Sequence, residues 1–169
     1  MKLGYVSLPE RGASDLFLAK VVASLQGQVK LCGTVQTNTT RADRHKCDMD
    51  LQLLATGEVF RISEDRGALA RGCLLDTGVL AQVVVATEAA LPGAELLIVN
   101  KFGKTEAAGG GFAPVIGEAL CQGVPVLVGV NGLNLSAFRT FSGGLEEALP
   151  GDVQHVTDWC LRAGLRHAA

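Results

Sequence analysis

The sequence lacks the features of a membrane-bound or secreted protein. No apolar run approaches the roughly 20 residues that a membrane span requires. The first residues, Met1 to Val6, continue directly into an apolar strand pattern and show no charged segment followed by an apolar segment and a cleavage site. The five cysteines form an odd count without a CxxC pair, which is typical of reduced thiols. These absences predict a cytoplasmic protein without membrane contact.

The sequence also lacks an excess of charge of either sign. Its 15 Lys and Arg residues face 17 Asp and Glu residues, which gives a net charge of −2 and a pI near 5.9. Such a balance provides no general attraction to nucleic acid, so nucleic acid is not an expected partner. What the sequence does have is 48% hydrophobic residues in a chain of 169, which is enough to build a substantial core. We expect one domain over residues 1–169.

Apolar patterns predict strands that alternate with helices. Strand patterns lie at 3–7, 29–37, 96–99 and 124–130, and helical patterns lie at 14–25, 74–91, 112–121 and 152–163. Two further short strands, at 49–54 and 58–63, predict a β-hairpin. This order predicts an α/β fold with a mainly parallel sheet, helices on both faces and the hairpin as an antiparallel addition. Ligands bind such sheets beyond the carboxyl ends of the strands, so the loops after Ser7, Thr37, Val99 and Val130 are the expected site.

The first strand-to-helix turn resembles a P-loop in its position and in some of its residues. A P-loop reads GxxxxGK[ST]; its backbone N–H groups surround phosphate, its Lys contacts the outer phosphates, and its Ser or Thr holds Mg²⁺. Here Gly12 and Ser14 match, while Ser7 replaces the first Gly and Ala13 replaces the Lys. The candidate nucleotide- or anion-binding residues are Pro9, Glu10, Arg11, Gly12, Ala13, Ser14 and Asp15. The alternative is an ordinary turn in which Gly12 relieves the backbone and Ser14 or Asp15 caps the helix.

A second candidate segment follows the strand at 96–99. A Walker B strand ends in Asp, often followed by Glu, and these acids organise Mg²⁺ and the attacking water. This chain has Asn100 and Lys101 in their place, so neither acid is present. Asn100, Lys101 and Lys104 are further candidate nucleotide- or anion-binding residues, and the two lysines are candidates to supply the positive charge that is lost at Ala13. The alternative is that both lysines are solvated on a surface loop.

Three stretches of the sequence resemble a known family. Residues 47–51 (CDMDL), 71–76 (RGCLLD) and 100–104 (NKFGK) are similar to the bacterial family known as domain of unknown function 2478, and the likeness covers nearly the full chain. Residues 100–106 are also similar to the Asp-Glu-x-Gly-Lys-Met-Glu-like stretch of the small thermophile-type nucleoside triphosphatases, with both leading acids altered.

These resemblances imply a P-loop-like fold with a pocket for a nucleotide or an anion. Members of the first family are associated with molybdenum transport, which implies a role near molybdate handling. Hydrolysis is not carried over, because Ala13, Asn100 and Lys101 depart from the second family at the positions responsible for it.

A basic segment between residues 41 and 71 provides further candidates. Arginine binds phosphate-like oxyanions through paired N–H groups, so this segment is a candidate clamp over an anion held by the glycine loop; a solvated loop is the alternative. The clamp residues are Arg41, Arg44, Arg66 and Arg71.

The cysteines fall into two groups. Cys47 and Cys73, with His45 and Asp48, offer thiolate, imidazole and carboxylate ligands for a transition metal, although their spacing is unlike that of a structural zinc site. The other three cysteines lie on apolar patterns and are expected in the core: Cys32, Cys121 and Cys160.

The leading functional hypothesis is a P-loop-like protein with degenerate Walker motifs that binds a nucleotide, phosphate or molybdate as an accessory or regulatory factor. A second hypothesis keeps nucleoside triphosphate hydrolysis, with Mg²⁺ bound to the nucleotide and substitute residues for the missing ones. A third treats the fold as a scaffold for protein interaction. Homo-oligomerisation stays open, since no heptad pattern indicates a partner helix.

Overall fold

The computed structural model of the chain describes residues 1–40, 42, 47–65 and 75–168. Within these residues, seven strands form one sheet. The strands are β1 (Leu3–Val6), β2 (Leu31–Thr39), β3 (Asp48–Leu53), β4 (Val59–Arg61), β5 (Leu96–Phe102), β6 (Val126–Val130) and β7 (Glu146–Ala148). The helices are α1 (Ala13–Leu25), α2 (Thr77–Ala90), α3 (Lys104–Ala107), α4 (Ala113–Cys121), α5 (Leu135–Ser142) and α6 (Val153–Ala168), with a single 3-10 turn at Gly132–Asn134.

The sheet has the order β4-β3-β2-β5-β6-β1-β7 and is parallel from β2 to β7. The antiparallel part is the pairing of β3 with β2 and with β4. Both the mainly parallel sheet and the antiparallel hairpin predicted from the sequence are therefore confirmed. Strand β6 lies between β1 and β5, so the carboxyl ends of these three strands point to the same edge.

Apolar cores cover both faces of the sheet, because alternate residues of the parallel strands point to opposite faces. On β5, Leu97 and Val99 belong to the core under α2, α4 and α5, whereas Leu96 and Ile98 belong to the core under α1 and α6. All four side chains are fully buried. Full burial of such a side chain contributes about 1.5–3 kcal/mol. The two-faced packing explains why β5 and β6 appear in the sequence as continuous apolar runs.

Gly33 allows β2 to change partners. Residues Leu31 to Gly33 pair in parallel with β5, and the strand then pairs antiparallel with β3 from Thr34 onward. Gly33 has φ +104°, and a Cβ built there would overlap the backbone of Ile98. Only glycine meets both requirements, so this residue joins the parallel and antiparallel parts of the sheet.

Several boundaries differ from the predicted ones. Helix α2 begins at Thr77 because the Asp76 side chain accepts hydrogen bonds from the N–H groups of Gly78 and Val79, both at 3.0 Å, as a cap residue does. Strands β2 and β5 run two or three residues beyond the apolar patterns that predicted them. In β2 the polar residues Asn38 and Thr39 continue the pairing with β3, and in β5 Phe102 pairs with Val130 after a register shift. Three short elements were not predicted: α3, α5 and β7.

Two of the three cysteines expected in the core are buried. Cys32 and Cys160 are fully buried, and burial raises the pKa of their thiols to about 11 and about 12. The expectation for Cys121 was wrong, since it is exposed at the last turn of α4. A position on the outer side of a short helix explains this difference. In the part of the chain that the structure describes, no helix combines the length and apolar character needed to cross a bilayer.

Candidate functional site

A cleft of about 590 Å³ opens at the carboxyl ends of β1, β5 and β6. It is lined by residues 7–12, 14–15, 100–101 and 129–133. Three of the four loops that were predicted to carry the chemistry therefore meet here. The cleft lies where parallel sheets bind their ligands, and its volume falls within the range of pockets that hold small organic molecules and cofactors.

The glycine loop forms one wall of the cleft and leads into α1. Gly12 precedes the helix with φ 77°, and the Ala13 N–H donates to the Glu10 carbonyl at 3.2 Å. No side chain caps the helix, so the N–H groups of Ser14 and Asp15 stay available to a ligand or to water. The first turn of this 13-residue helix thus presents N–H donors and a partial positive charge to the cleft.

A polar network crosses the cleft floor and includes the residue at the Walker B position. Asn100 is only 3% exposed. Its Nδ2 donates to Asp15 Oδ1 at 2.7 Å, and its Oδ1 accepts the Gln36 backbone N–H at 2.9 Å. The second carboxylate oxygen of Asp15, Oδ2, accepts from Asn38 Nδ2 at 2.5 Å. Asn100 therefore joins the first turn of α1 to the end of β2 and holds the Asp15 carboxylate at the cleft.

The charged side chains of the cleft include both signs. Glu10 and Asp15 are acidic, and Arg11 and Lys101 are basic. Arg11 and Lys101 are both exposed, so both are accessible to an anion in the cleft. Lys104 is exposed as well, but it begins α3 and does not line the cleft. The structure thus separates the two lysines that the sequence placed together.

Glu106 is a structural residue. Its side chain is 6% exposed; Oε2 accepts the Gly103 N–H at 2.9 Å and Oε1 accepts the Phe112 N–H at 3.1 Å. Gly111, at φ 55°, passes so close to this carboxylate that a Cβ would overlap it. Gly111, the last residue of the glycine run at 109–111, therefore packs against the buried Glu106 carboxylate and leads into α4.

The candidate anion clamp lies outside the described residues. None of its four arginines, Arg41, Arg44, Arg66 and Arg71, can be placed relative to the cleft, so the clamp stays a prediction.

The metal candidates are divided in the same way. His45 and Cys73 fall outside the described residues. Cys47 is exposed, with its Sγ 3.8 Å from Thr40 Oγ1, and Asp48 forms an ion pair with Arg61 at 3.0 Å. The described part of the chain contains no group of three or more His, Cys, Asp or Glu residues arranged to hold a metal ion.

Two sets of residues at the cleft were not predicted from the sequence. Gln36 and Asn38 lie within β2, and their contacts with Asn100 and Asp15 join residues that are 64 and 23 positions apart. The loop after β6 was predicted as part of the site, but Asn131 and Leu133 were not singled out. Asn131 Oδ1 accepts the Asn134 N–H at 3.0 Å and caps the 3-10 turn, while the Leu133 side chain is 94% exposed at the cleft wall.

The architecture is that of the P-loop nucleoside triphosphatase fold. The chain is similar to the solution structure of a human cancer-related nucleoside triphosphatase, with a TM-score of 0.62 and 13% identity over 96% of each chain. It is also similar to the crystal structure of THEP1 from Aquifex aeolicus, with a TM-score of 0.53 and 12% identity over 96% of this chain and 95% of that one. At such identities the likeness shows the fold.

The chain belongs to the family described as Protein of unknown function (DUF2478), whose model matches residues 3–159. It is also similar to the molybdenum import ATP-binding protein ModC 2 of Bradyrhizobium diazoefficiens, with 33% identity over 133 residues. That match covers 77% of this chain and 15% of the relative. The chain thus corresponds to a small part of ModC 2.

Proposed function

We propose that this protein binds a nucleotide in the cleft at the start of α1 and hydrolyses it slowly or not at all. The observation that carries the proposal is the cleft itself, where unpaired N–H groups of α1 meet Arg11 and Lys101. Its volume of about 590 Å³ lies within the range of pockets that hold cofactor-sized molecules. A nucleotide fits within such a space, whereas phosphate or molybdate would occupy a small part of it.

Slow hydrolysis follows from the residues that the cleft lacks. Ala13 stands where a P-loop has its lysine, and Asn100 stands where a Walker B strand has its first acid. Asn100 is also committed to Asp15 and Gln36 through hydrogen bonds, so it does not orient an attacking water. Glu106, the remaining acid of this stretch, is buried in backbone contacts. We therefore expect the protein to bind a nucleotide without hydrolysing it rapidly.

We also propose that the protein acts near molybdenum transport. The name of the Bradyrhizobium relative supports a connection with molybdenum import. In that setting the domain would act as an accessory or regulatory factor, with the bound nucleotide as its signal. Molybdate itself would bind weakly, since the cleft carries two acids beside its two bases.

Isothermal titration with ATP, GTP, phosphate and molybdate tests the proposal, with Lys101→Ala and Lys104→Ala as matched variants. A charge-assisted hydrogen bond contributes about 1.5–3 kcal/mol, so Lys101→Ala should weaken nucleotide binding about tenfold or more. Lys104→Ala should leave the affinity within about twofold, because that side chain lies outside the cleft. The lack of binding by either nucleotide at millimolar concentration would remove the proposal, and equal losses in both variants would remove the site assignment.

A phosphate-release assay with saturating Mg-ATP separates binding from hydrolysis. A release rate that falls to the background in the Lys101→Ala variant would favour the active-enzyme alternative. A release rate at background in the unmodified protein supports binding without turnover.

A further inference from the structure

The cleft contains the carboxylate of Asp15 next to Asn100, which occupies the position of the Walker B acid. P-loop proteins bind their nucleotide as an Mg²⁺ chelate, and a Walker B acid helps to hold the ion. Asn100 removes that acid, but Asp15 Oδ1 lies 2.7 Å from Asn100 Nδ2. A negative charge is thus within hydrogen-bond distance of the side chain that occupies the Walker B position. The charge is supplied by the first turn of α1 and not by the end of β5.

The residues around Asp15 fit a hard divalent cation. Mg²⁺ in nucleotide sites takes one or two carboxylates together with phosphate oxygens and several waters. Asp15 and the hydroxyl-bearing Ser14 both line the cleft, next to the N–H groups that would face a phosphate. All of these protein donors are oxygens, which Mg²⁺ prefers over nitrogen and sulfur.

The hydrogen bonds of Asp15 fix its carboxylate without using up its charge. Each carboxylate oxygen accepts one neutral amide donor, from Asn100 or from Asn38. An ionised carboxylate has about four acceptor positions, so about two remain. Neither amide neutralises the negative charge. The carboxylate is therefore oriented and still able to bind a cation.

We propose that Asp15 replaces the missing Walker B acid, so that the cleft takes a nucleoside di- or triphosphate together with Mg²⁺; this inference rests on the proposed nucleotide binding. Without a cation, a polyphosphate in the cleft would meet the negative charges of Asp15 and Glu10. A divalent cation between phosphate and Asp15 converts that repulsion into attraction. Nucleotide affinity should therefore depend on Mg²⁺.

The first experiment measures ATP binding by calorimetry in Mg²⁺ and in EDTA. The unmodified protein should bind ATP at least tenfold more tightly with Mg²⁺. Equal affinity in the two buffers overturns the role of Asp15 and leaves nucleotide binding intact. Failure to bind ATP in both buffers overturns the proposed function itself, so the two failures are distinguishable.

The second experiment uses variants that remove the carboxylate at position 15 or transfer it to position 100. Asp15→Asn should abolish the gain in affinity from Mg²⁺, and the double variant Asp15→Asn with Asn100→Asp should recover at least half of it, because the acid then stands at the usual place. Asp158→Asn is the matched control: Asp158 is also half-buried on a helix and accepts from an amide, Gln154 Nε2, at 2.9 Å. A folded Asp15→Asn protein that keeps the full Mg²⁺ dependence overturns the inference.

A measurement on the unmodified protein covers the case in which Asp15→Asn does not fold. Mn²⁺ added with ADP should broaden the amide NMR signals of Ser14 and Asp15 and the side-chain signal of Asn100 first. The side-chain amide of Gln154, at the control position, should stay sharp. Broadening at Gln154 with none at Asp15 overturns the inference.

Discussion

Replacing Asn100 by Leu should lower the free energy of unfolding, because the Asn100 side chain makes two buried hydrogen bonds. The change keeps a side chain of similar size at a position that is 3% exposed. It removes the charge-assisted bond to Asp15 Oδ1 and leaves the Gln36 N–H without its partner. The first loss costs about 1.5–3 kcal/mol and the second about 1–3 kcal/mol. The apolar burial of Leu returns about 1–2 kcal/mol.

The expected net loss in the free energy of unfolding lies between about 0.5 and about 5 kcal/mol, with a midpoint of about 3 kcal/mol, measured by urea denaturation followed by circular dichroism. Asn38→Leu is the matched control, because Asn38 donates to the same carboxylate from an exposed position. Its cost should stay within about 1 kcal/mol. A loss below about 0.5 kcal/mol for Asn100→Leu, or equal losses for the two variants, would show that the buried network does not stabilise the cleft floor.

Three further predictions concern the fold. Gly33→Ala should cost more than about 3 kcal/mol in urea denaturation, because its φ of +104° and the adjacent Ile98 backbone exclude a Cβ; a loss below about 1 kcal/mol would contradict this. Glu106→Ala should cost about 2–5 kcal/mol, since it leaves two buried N–H groups unpaired, and a stable variant with lower nucleotide affinity would instead indicate a role in binding. Iodoacetamide at pH 8, followed by mass spectrometry, should label the exposed Cys47 and spare Cys32, because burial raises the pKa of the Cys32 thiol from 9.0 to about 11. As the pH rises, the thiol of the unfolded chain ionises before that of the folded protein. The contribution of Cys32 to stability is therefore complete below pH 9 and falls as the pH rises towards 11.

Local patterns in the sequence were sufficient to predict the layout of the sheet. The parallel strands β5 and β6 are buried on both faces, so they appear as unbroken apolar runs bounded by polar residues. The polar residues that extend β2 to Thr39 gave no such signal. Helix α3 and strand β7 have four and three residues, which is too short for a periodic pattern to develop.

The location of the cleft was predictable, but its internal contacts were not. The first βα turn marks the ligand edge of any parallel sheet, and Gly12 and Ser14 indicated the loop that lines the cleft. The bond between Asp15 and Asn100 joins residues 85 positions apart, and the geometry of the folded sheet and of α1 brings them together. The same geometry separates Lys101, which lines the cleft, from Lys104, which does not.

The position of β1 in the sheet has a consequence for the order in which the protein folds. β1 is the first strand of the chain, yet Leu3 pairs with Val126 on one side and with Glu146 on the other. During synthesis the glycine loop would therefore emerge well before β6 and β7, the two strands that pair with β1. Contacts of such long sequence separation form slowly. The cleft would thus be complete only after β6 has joined the sheet, and any ligand that binds it would stabilise the finished fold over the partly assembled forms.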